Sequence, residues 1–493
     1  MEILIESRSA ATITADLLLI GLFADSSSLT PGAAAVDSAS GGAIQRVLSL
    51  GDFRGQANET AFVYPDRGSI ARVGLVGLGP RAALTPAAMQ NALAAATRRA
   101  AAFGGRRLAA MVVESAAPGD FGQALGYAAV AGPFDPGKSK AGEEPIQTIV
   151  VAGVAAGEAE ALRAAVAEGI VIGRAVNEAR HLVYRPPNVL TPTALAEAAQ
   201  NLASECGLNC EVWDGDRLQA EGMTAFLAVA RGSSQPPRLV TLKYTASGAK
   251  ATLALVGKGI TFDAGGLGLK DTPEQRLMKN DMSGAAAVLG AMRIVAHRKP
   301  RLNVIGLIPS AENMPDGNAL RTGDVIPSKS GRRIEILDTD CEGRLLLCDT
   351  FTYAHTLGAT HLIDIATLSG ACARAFADVV TPVMGYDRPT VERLLAAGQA
   401  TGELLWEMPL LPAYRAMLNT SLADLKNYGG SAAAAITAGS FLGEFAEGKP
   451  WAHLDIAATC WADKDLPWRG SGPTGIGVRL LAEYAQALAH EVA

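Results

Sequence analysis

The chain has 493 residues, of which 49% are hydrophobic, and a net charge of -6. That length can bury a sizeable core in two domains, and the acidic balance speaks against a nucleic-acid partner. Six scattered cysteines suggest neither a disulfide scaffold nor a zinc ribbon, so reduced thiols in a cytoplasm are expected.

In chain order, the apolar run 17–23 lies between Asp16 and Asp25. It is too short to span a membrane and reads as a buried strand. Further strands are predicted at 72–78, 108–114 and 146–154, with a helix at 86–102. This alternation predicts a mostly parallel sheet. Residues 132–145, GPFDPGKSKAGEEP, read as an exposed loop before an Ala-rich helix over 158–178. Strands at 239–244, 251–257, 302–309 and 361–366 then alternate with helices at 282–296 and 345–355. The expected fold class is α/β: two domains, each a mostly parallel mixed sheet flanked by helices. The boundaries are 1–155, a linking helix 156–178, and 179–493, with the site in the last part.

The chemistry-bearing residues fall at strand ends. The stretch 253–270, LALVGKGITFDAGGLGLK, sets Lys258 between glycines, Asp263 before a Gly-Gly pair, and Lys270 at its end. Asp281 stands at the mouth of the next helix. The run DTDCEGRL, 338–345, carries Asp340, Glu342 and Arg344 around one glycine after a strand-like segment, 333–337. In an extended or looped segment, positions i and i+2 point the same way. Four carboxylates in such settings suit hard divalent ions. Taken alone, the 338–345 run also fits a solvated loop, and Lys258 a surface cation on a tight turn. The histidines show no H-E-x-x-H spacing and read as structural, Glu312 and Asp316 as loop or cap residues. The glycine-rich stretch 423–442 lacks the phosphate-loop pattern.

Taken together, GKGITFDAGG, Lys270, Asp281, ENMPDGNALRTGDVI, DTDCEGRL and WAHLDIA resemble the leucyl aminopeptidase (cytosol aminopeptidase) family, in order and spacing from about Glu178 onward. The resemblance implies a metallo-exopeptidase that releases leucine and other apolar N-terminal residues from peptides, with a non-catalytic, macro-like N-terminal domain. It implies two divalent ions, Mn or Zn, held by Lys258, Asp263, Asp281, Asp340 and Glu342. Lys258 would ligate as a neutral amine, its pKa depressed by burial and the dications. Lys270 would stabilise the oxyanion, and Arg344 would hold a bicarbonate serving as general base. Met278, Thr367, Leu368, Ser369 and Gly370 would contact substrate. A cytoplasmic homohexamer is implied, and no membrane.

Several positions depart from the family's pattern: Asp338 for asparagine, Cys341 for alanine, Ser431 for arginine, and Tyr184, Arg185 and Pro187 near the start of the matched region. Asp338 is expected either to add negative potential at the site or to pair with Arg332 or Arg333. Two alternatives stay beside the main reading: a dipeptidase for a substrate such as Cys-Gly, and a DNA-binding or scaffold member of the fold.

Overall fold

The computed structural model describes residues 1–139 and 143–492. The chain forms two compact units. Met1–Asn177 with Asp463–Gly472 make the first; Glu178–Ala462 and the chain from Pro473 onward make the second.

The first unit holds strands β1 (Glu2–Glu6), β2 (Leu17–Leu22), β3 (Thr60–Val63), β4 (Val73–Gly77), β5 (Arg107–Met111) and β6 (Thr148–Ala152). They lie in the order β1-β6-β5-β2-β4-β3, parallel except for the antiparallel edge strand β3. Alternation along β2 explains why both faces are covered. Leu17 and Leu19 pack with the helices Pro86–Ala101 and Pro118–Ala131, while Leu18, Ile20 and Leu22 pack on the other face with Val36 and Ile44. The two helices that open on Thr-Pro, Pro31–Ala39 and Pro86–Ala101, are capped by Thr30 and Thr85, whose hydroxyls accept from Ala33 and Ala88. The strands predicted at 17–23, 72–78, 108–114 and 146–154 are thus present, each somewhat shorter. The helix predicted over 158–178 runs further, Ala159–Tyr184, and the division between units falls inside it. The loop predicted at 132–145 is not uniformly exposed, because Phe134 is buried; residues 140–142 lie outside the described residues.

The second unit contributes β7 (Asn209–Trp213), β8 (Arg238–Tyr244), β9 (Thr252–Gly257), β10 (Gly259–Asp263), β11 (Asn303–Asn313), β12 (Val325–Pro327) and β13 (Arg333–Glu335). After these come β14 (His361–Ala366), β15 (Thr381–Gly385), β16 (Leu405–Glu407), β17 (Leu425–Lys426) and β18 (Trp451–Asp455). The main sheet runs β16-β15-β18-β14-β9-β11-β8-β7, with β10 pairing to the far end of β11; β12, β13 and β17 form a small separate sheet. Strands β11, β9, β14 and β18 are mutually parallel. The helix Ser283–Arg298 covers one face, where Val288 and Met292 fill the space beside Gly306. The helix Gly343–Thr356 covers the other, where Leu345, Leu346 and Phe351 join Ala254, Val256 and Leu307. β11 outruns its predicted end by four residues because β10 supplies a partner for Ser310 to Asn313. Glu312 consequently lies in a strand, accepting from Ser233 Oγ at 2.6 Å, not in the loop expected for it.

Candidate active site

The carboxyl ends of β9, β14 and β18 meet where open α/β sheets place their ligands. Lys258 follows β9 directly. Its N–H donates to Ile365 O on β14, and its carbonyl accepts from Ala285 N at the start of the helix Ser283–Arg298. That helix can come so close only because two glycines face each other. A Cβ on Gly257 would lie 2.4 Å from Gly284 O, and one on Gly284 would lie 2.1 Å from Ile365 O. The approach sets Asp281, just before the helix, against Lys258.

Lys258 is buried, with Nζ 2.8 Å from Asp281 Oδ1 and 2.7 Å from Glu342 Oε1, and it donates to Thr367 O at 3.0 Å. Burial alone would lower its pKa, but Asp281, Glu342 and Asp263 outweigh that and hold the ammonium well above its ordinary range. With carboxylates as its charged neighbours Lys258 is the cation; the neutral amine implied above needs added dications. Lys270 Nζ bridges the other pair, donating to Asp263 Oδ2 at 2.5 Å and to Asp340 Oδ1. It too is held above its usual range, by Asp263, Glu342 and Asp340 against burial.

Carboxylate oxygens of Asp263, Asp340 and Glu342 lie within 4.8 Å of one another. Burial and the neighbouring carboxylates push Asp340 up to about 7, and hold Glu342 and Asp281 above the normal carboxylate range. Asp281 Oδ1 accepts from Thr367 Oγ1 at 2.6 Å, whereas the buried Asp281 Oδ2 has no hydrogen-bond partner. Hard oxygen donors, crowded like charges and an orphaned carboxylate oxygen are what a divalent-ion site requires. Arg344, the second residue of the helix Gly343–Thr356, is buried with Nη1 on Asn427 O at 2.5 Å and Nε without an acceptor.

The substrate-facing candidates are distributed less uniformly. Thr367 joins the network through Asp281 and Lys258. Leu368 is half-buried, its N–H held by Asp455 Oδ1 at 3.1 Å, and Ser369 N shares that acceptor. Met278 begins the short turn Met278–Asn280 whose first carbonyl accepts from Asp281 N. Gly370 is exposed, at the start of the helix Ala371–Phe376. Asp338 pairs with neither arginine proposed for it: Arg332 binds Glu444 at 2.8 Å and Arg333 lies 3.9 Å from Asp424. Its Oδ1 instead accepts from Asp340 N at 3.0 Å, a local turn that shapes the 338–345 loop.

Three residues around the site escaped the sequence reading. Asn313 Nδ2 donates to Asp263 Oδ1 at 2.8 Å and Thr339 O at 3.0 Å, tying the two carboxylate segments together. Thr339 Oγ1 accepts from Gly268 N and donates to Gly265 O. Asn427 holds the Asp338 loop. None carries charge, so only their closeness in space to the carboxylate segments marks them. Two histidines make contacts away from the carboxylate cluster: His453 Nδ1 sits 2.6 Å from Asp364 Oδ1, and His355 Nε2 3.1 Å from Phe445 O.

A family model described as the cytosol aminopeptidase family, catalytic domain, matches residues 177–482, and one for that family's N-terminal domain matches 19–132. The chain belongs to the cytosol aminopeptidase family. A probable cytosol aminopeptidase of Acidobacterium capsulatum is 43% identical over 460 residues, 92% of this chain and 91% of that one. One from Solibacter usitatus is 40% identical over 490 residues, 98% and 99% of the two chains. Among solved structures, a mutant of tomato leucine aminopeptidase superposes with a TM-score of 0.89 at 29% identity, covering 99% of this chain and 96% of that one. The bottromycin maturation enzyme BotP in complex with Mn gives 0.85 at 35% identity, covering 97% of this chain and all of the other. Membership makes this protein a metal-dependent aminopeptidase, a hydrolase acting on peptides. Among the described residues, no helix is long and apolar enough to cross a membrane.

Proposed function

We propose that this aminopeptidase removes leucine and other apolar residues from peptide N-termini at a two-metal centre held by Lys258, Asp263, Asp281, Asp340 and Glu342. One observation carries the reading: three carboxylates converge within 4.8 Å while a fourth, Asp281, keeps a buried oxygen unpartnered. Two dications there, Mn or Zn, would supply Lewis-acid polarisation of the scissile carbonyl and a water acidic enough to deprotonate near neutral pH. The chain's own groups do the rest. Lys270 holds an ammonium beside Asp263 and Asp340, where it stabilises the oxyanion that develops on the substrate. Arg344 offers a buried, unpartnered Nε, suited to a small planar anion; a bicarbonate held there would supply the general base, since the nearby carboxylates would be taken up by metal. Thr367, Leu368, Gly370 and Met278 orient the first residue of the peptide.

The same reading includes a homohexamer and a cytoplasmic location, the latter supported by six free cysteines and by the relatives' printed names. Hydrolysis of amino-acid p-nitroanilides and dipeptides, Cys-Gly included, tests it after chelation and reconstitution with Mn, Zn, Mg or Co. Expected are loss of activity on chelation, recovery with Mn or Zn, and preference for apolar first residues. Full activity in protein shown metal-free by elemental analysis would overturn the two-metal reading, and turnover of Cys-Gly alone would favour a dedicated dipeptidase.

A further inference from the structure

Asn427 is uncharged and fully buried, yet every polar atom it owns is engaged. Its Oδ1 accepts from the backbone N–H of Leu337 at 2.8 Å and of Asp338 at 3.3 Å. Its Nδ2 donates to Asp338 O at 2.6 Å and reaches Cys341 O at 3.5 Å. Its own N–H donates to Glu335 O at 2.9 Å, and its carbonyl accepts from Arg344 Nη1 at 2.5 Å.

Only a primary amide serves two N–H donors and two carbonyl acceptors from one side chain without a charge. The small sheet explains how one reaches this spot. β17 runs parallel to β13, with Ile334 opposite Leu425 and Glu335 opposite Lys426. The two strands therefore deliver the Asp338 loop and Asn427 side by side.

We propose that Asn427 is a positioning residue for hydrolysis: its side chain fixes the turn that presents Asp340 and Glu342, and its carbonyl fixes Arg344, so the carboxylates and the guanidinium are held as one unit. The inference rests on the metal-ligand reading above. Asn427→Ala strips four backbone groups of their buried partner. Asn427→Asp keeps the shape and the acceptor for Leu337 and Asp338, but turns an oxygen toward the carbonyls of Asp338 and Cys341.

The test titrates Mn(II) calorimetrically into chelator-stripped full-length wild type and both variants. It also measures kcat and KM at saturating Mn, with circular dichroism to follow the fold. Residues that orient metal ligands typically matter by about 10- to 100-fold, so each folded variant is expected to bind Mn about 10-fold or more weakly. At saturating Mn, kcat should stay about 10-fold or more below wild type while KM moves by less than about 3-fold, a split that simple loss of stability would not produce. Mn affinity and kcat within about 2-fold of wild type in a folded variant would overturn the assignment. Failure of both variants to fold would also overturn it, by making Asn427 a purely structural residue. Absence of Mn binding by wild type would overturn the ligand reading, and this inference with it.

Discussion

Lys258 shows how much a single residue depends on its setting. Between two glycines it fits an exposed turn equally well; in the fold it is buried against Asp281, Glu342 and the carbonyl of Thr367. Gly343 makes room for it, because a Cβ there would lie 2.7 Å from Lys258 Cε and 2.9 Å from Nζ. The obstructed atoms belong to a side chain, so Gly343→Ala should displace Lys258 more than it destabilises the fold. Expected is a loss of kcat of about 10-fold or more beside a stability cost of about 1–3 kcal/mol, read from kinetics and thermal unfolding together. Unchanged kcat would show that Lys258 can shift without consequence. For Lys270 and Arg344, alanine should lower kcat by about 10²- to 10⁴-fold with bound metal retained. Metal lost on either substitution, measured by elemental analysis, would move that residue among the ligands.

At the scale of elements, two contacts hold the site's helices, and each makes a different prediction. The helix Ser283–Arg298 touches the strand ends through Gly284, where an added Cβ would meet backbone, Ile365 O at 2.1 Å and Lys258 N at 2.9 Å. No side chain can give way there, so Gly284→Ala should cost about 3 kcal/mol or more, seen as a fall in thermal midpoint. The helix Gly343–Thr356 is pinned by Asp349, which is buried and accepts from Lys329 N at 2.7 Å and Phe226 N at 3.1 Å. Burial pushes Asp349 up to about 7, against the pull of those amides. From about pH 4 upward the unfolded chain has released this proton while the folded chain still holds it. The penalty for ionising Asp349 therefore grows as pH rises from about 4 to about 7, and stability falls through that window. Asp349→Ala should lower the thermal midpoint throughout, by leaving two amides unpaired, and flatten its decline over the window. Curves for variant and wild type that run parallel from pH 4 to 7 would sink this account.

For the whole molecule, strands were legible wherever apolar runs were continuous, as in β2, β9 and β14, since buried parallel strands need little else. The proposed metal-binding positions come from the family resemblance of GKGITFDAGG and DTDCEGRL; read alone, each run fits an exposed turn or loop as well. Asn313, Thr339 and Asn427 were not legible, because an uncharged residue announces nothing until folding brings its amide or hydroxyl to a carbonyl far along the chain. The end of β11 was illegible for a related reason: Ser310 to Asn313 have no strand-like pattern and are extended because β10 pairs with them. Nor does anything in the sequence mark residues 463–472 as part of the first unit. There, Arg98 reaches Asp465 at 2.6 Å and Leu466 O at 2.8 Å, and Trp468 packs against the core of that unit.

That returning segment sets an order of events during synthesis. The first unit's sheet, β1 to β6, is complete once residue 152 has left the ribosome, but its last piece, Asp463–Gly472, emerges after nearly all of the second unit. Until then the Arg98 guanidinium lacks Asp465 and the flank of the core lacks Trp468. The first unit of each nascent chain thus waits for its own far end, and a chain truncated before residue 463 carries a first unit that never closes.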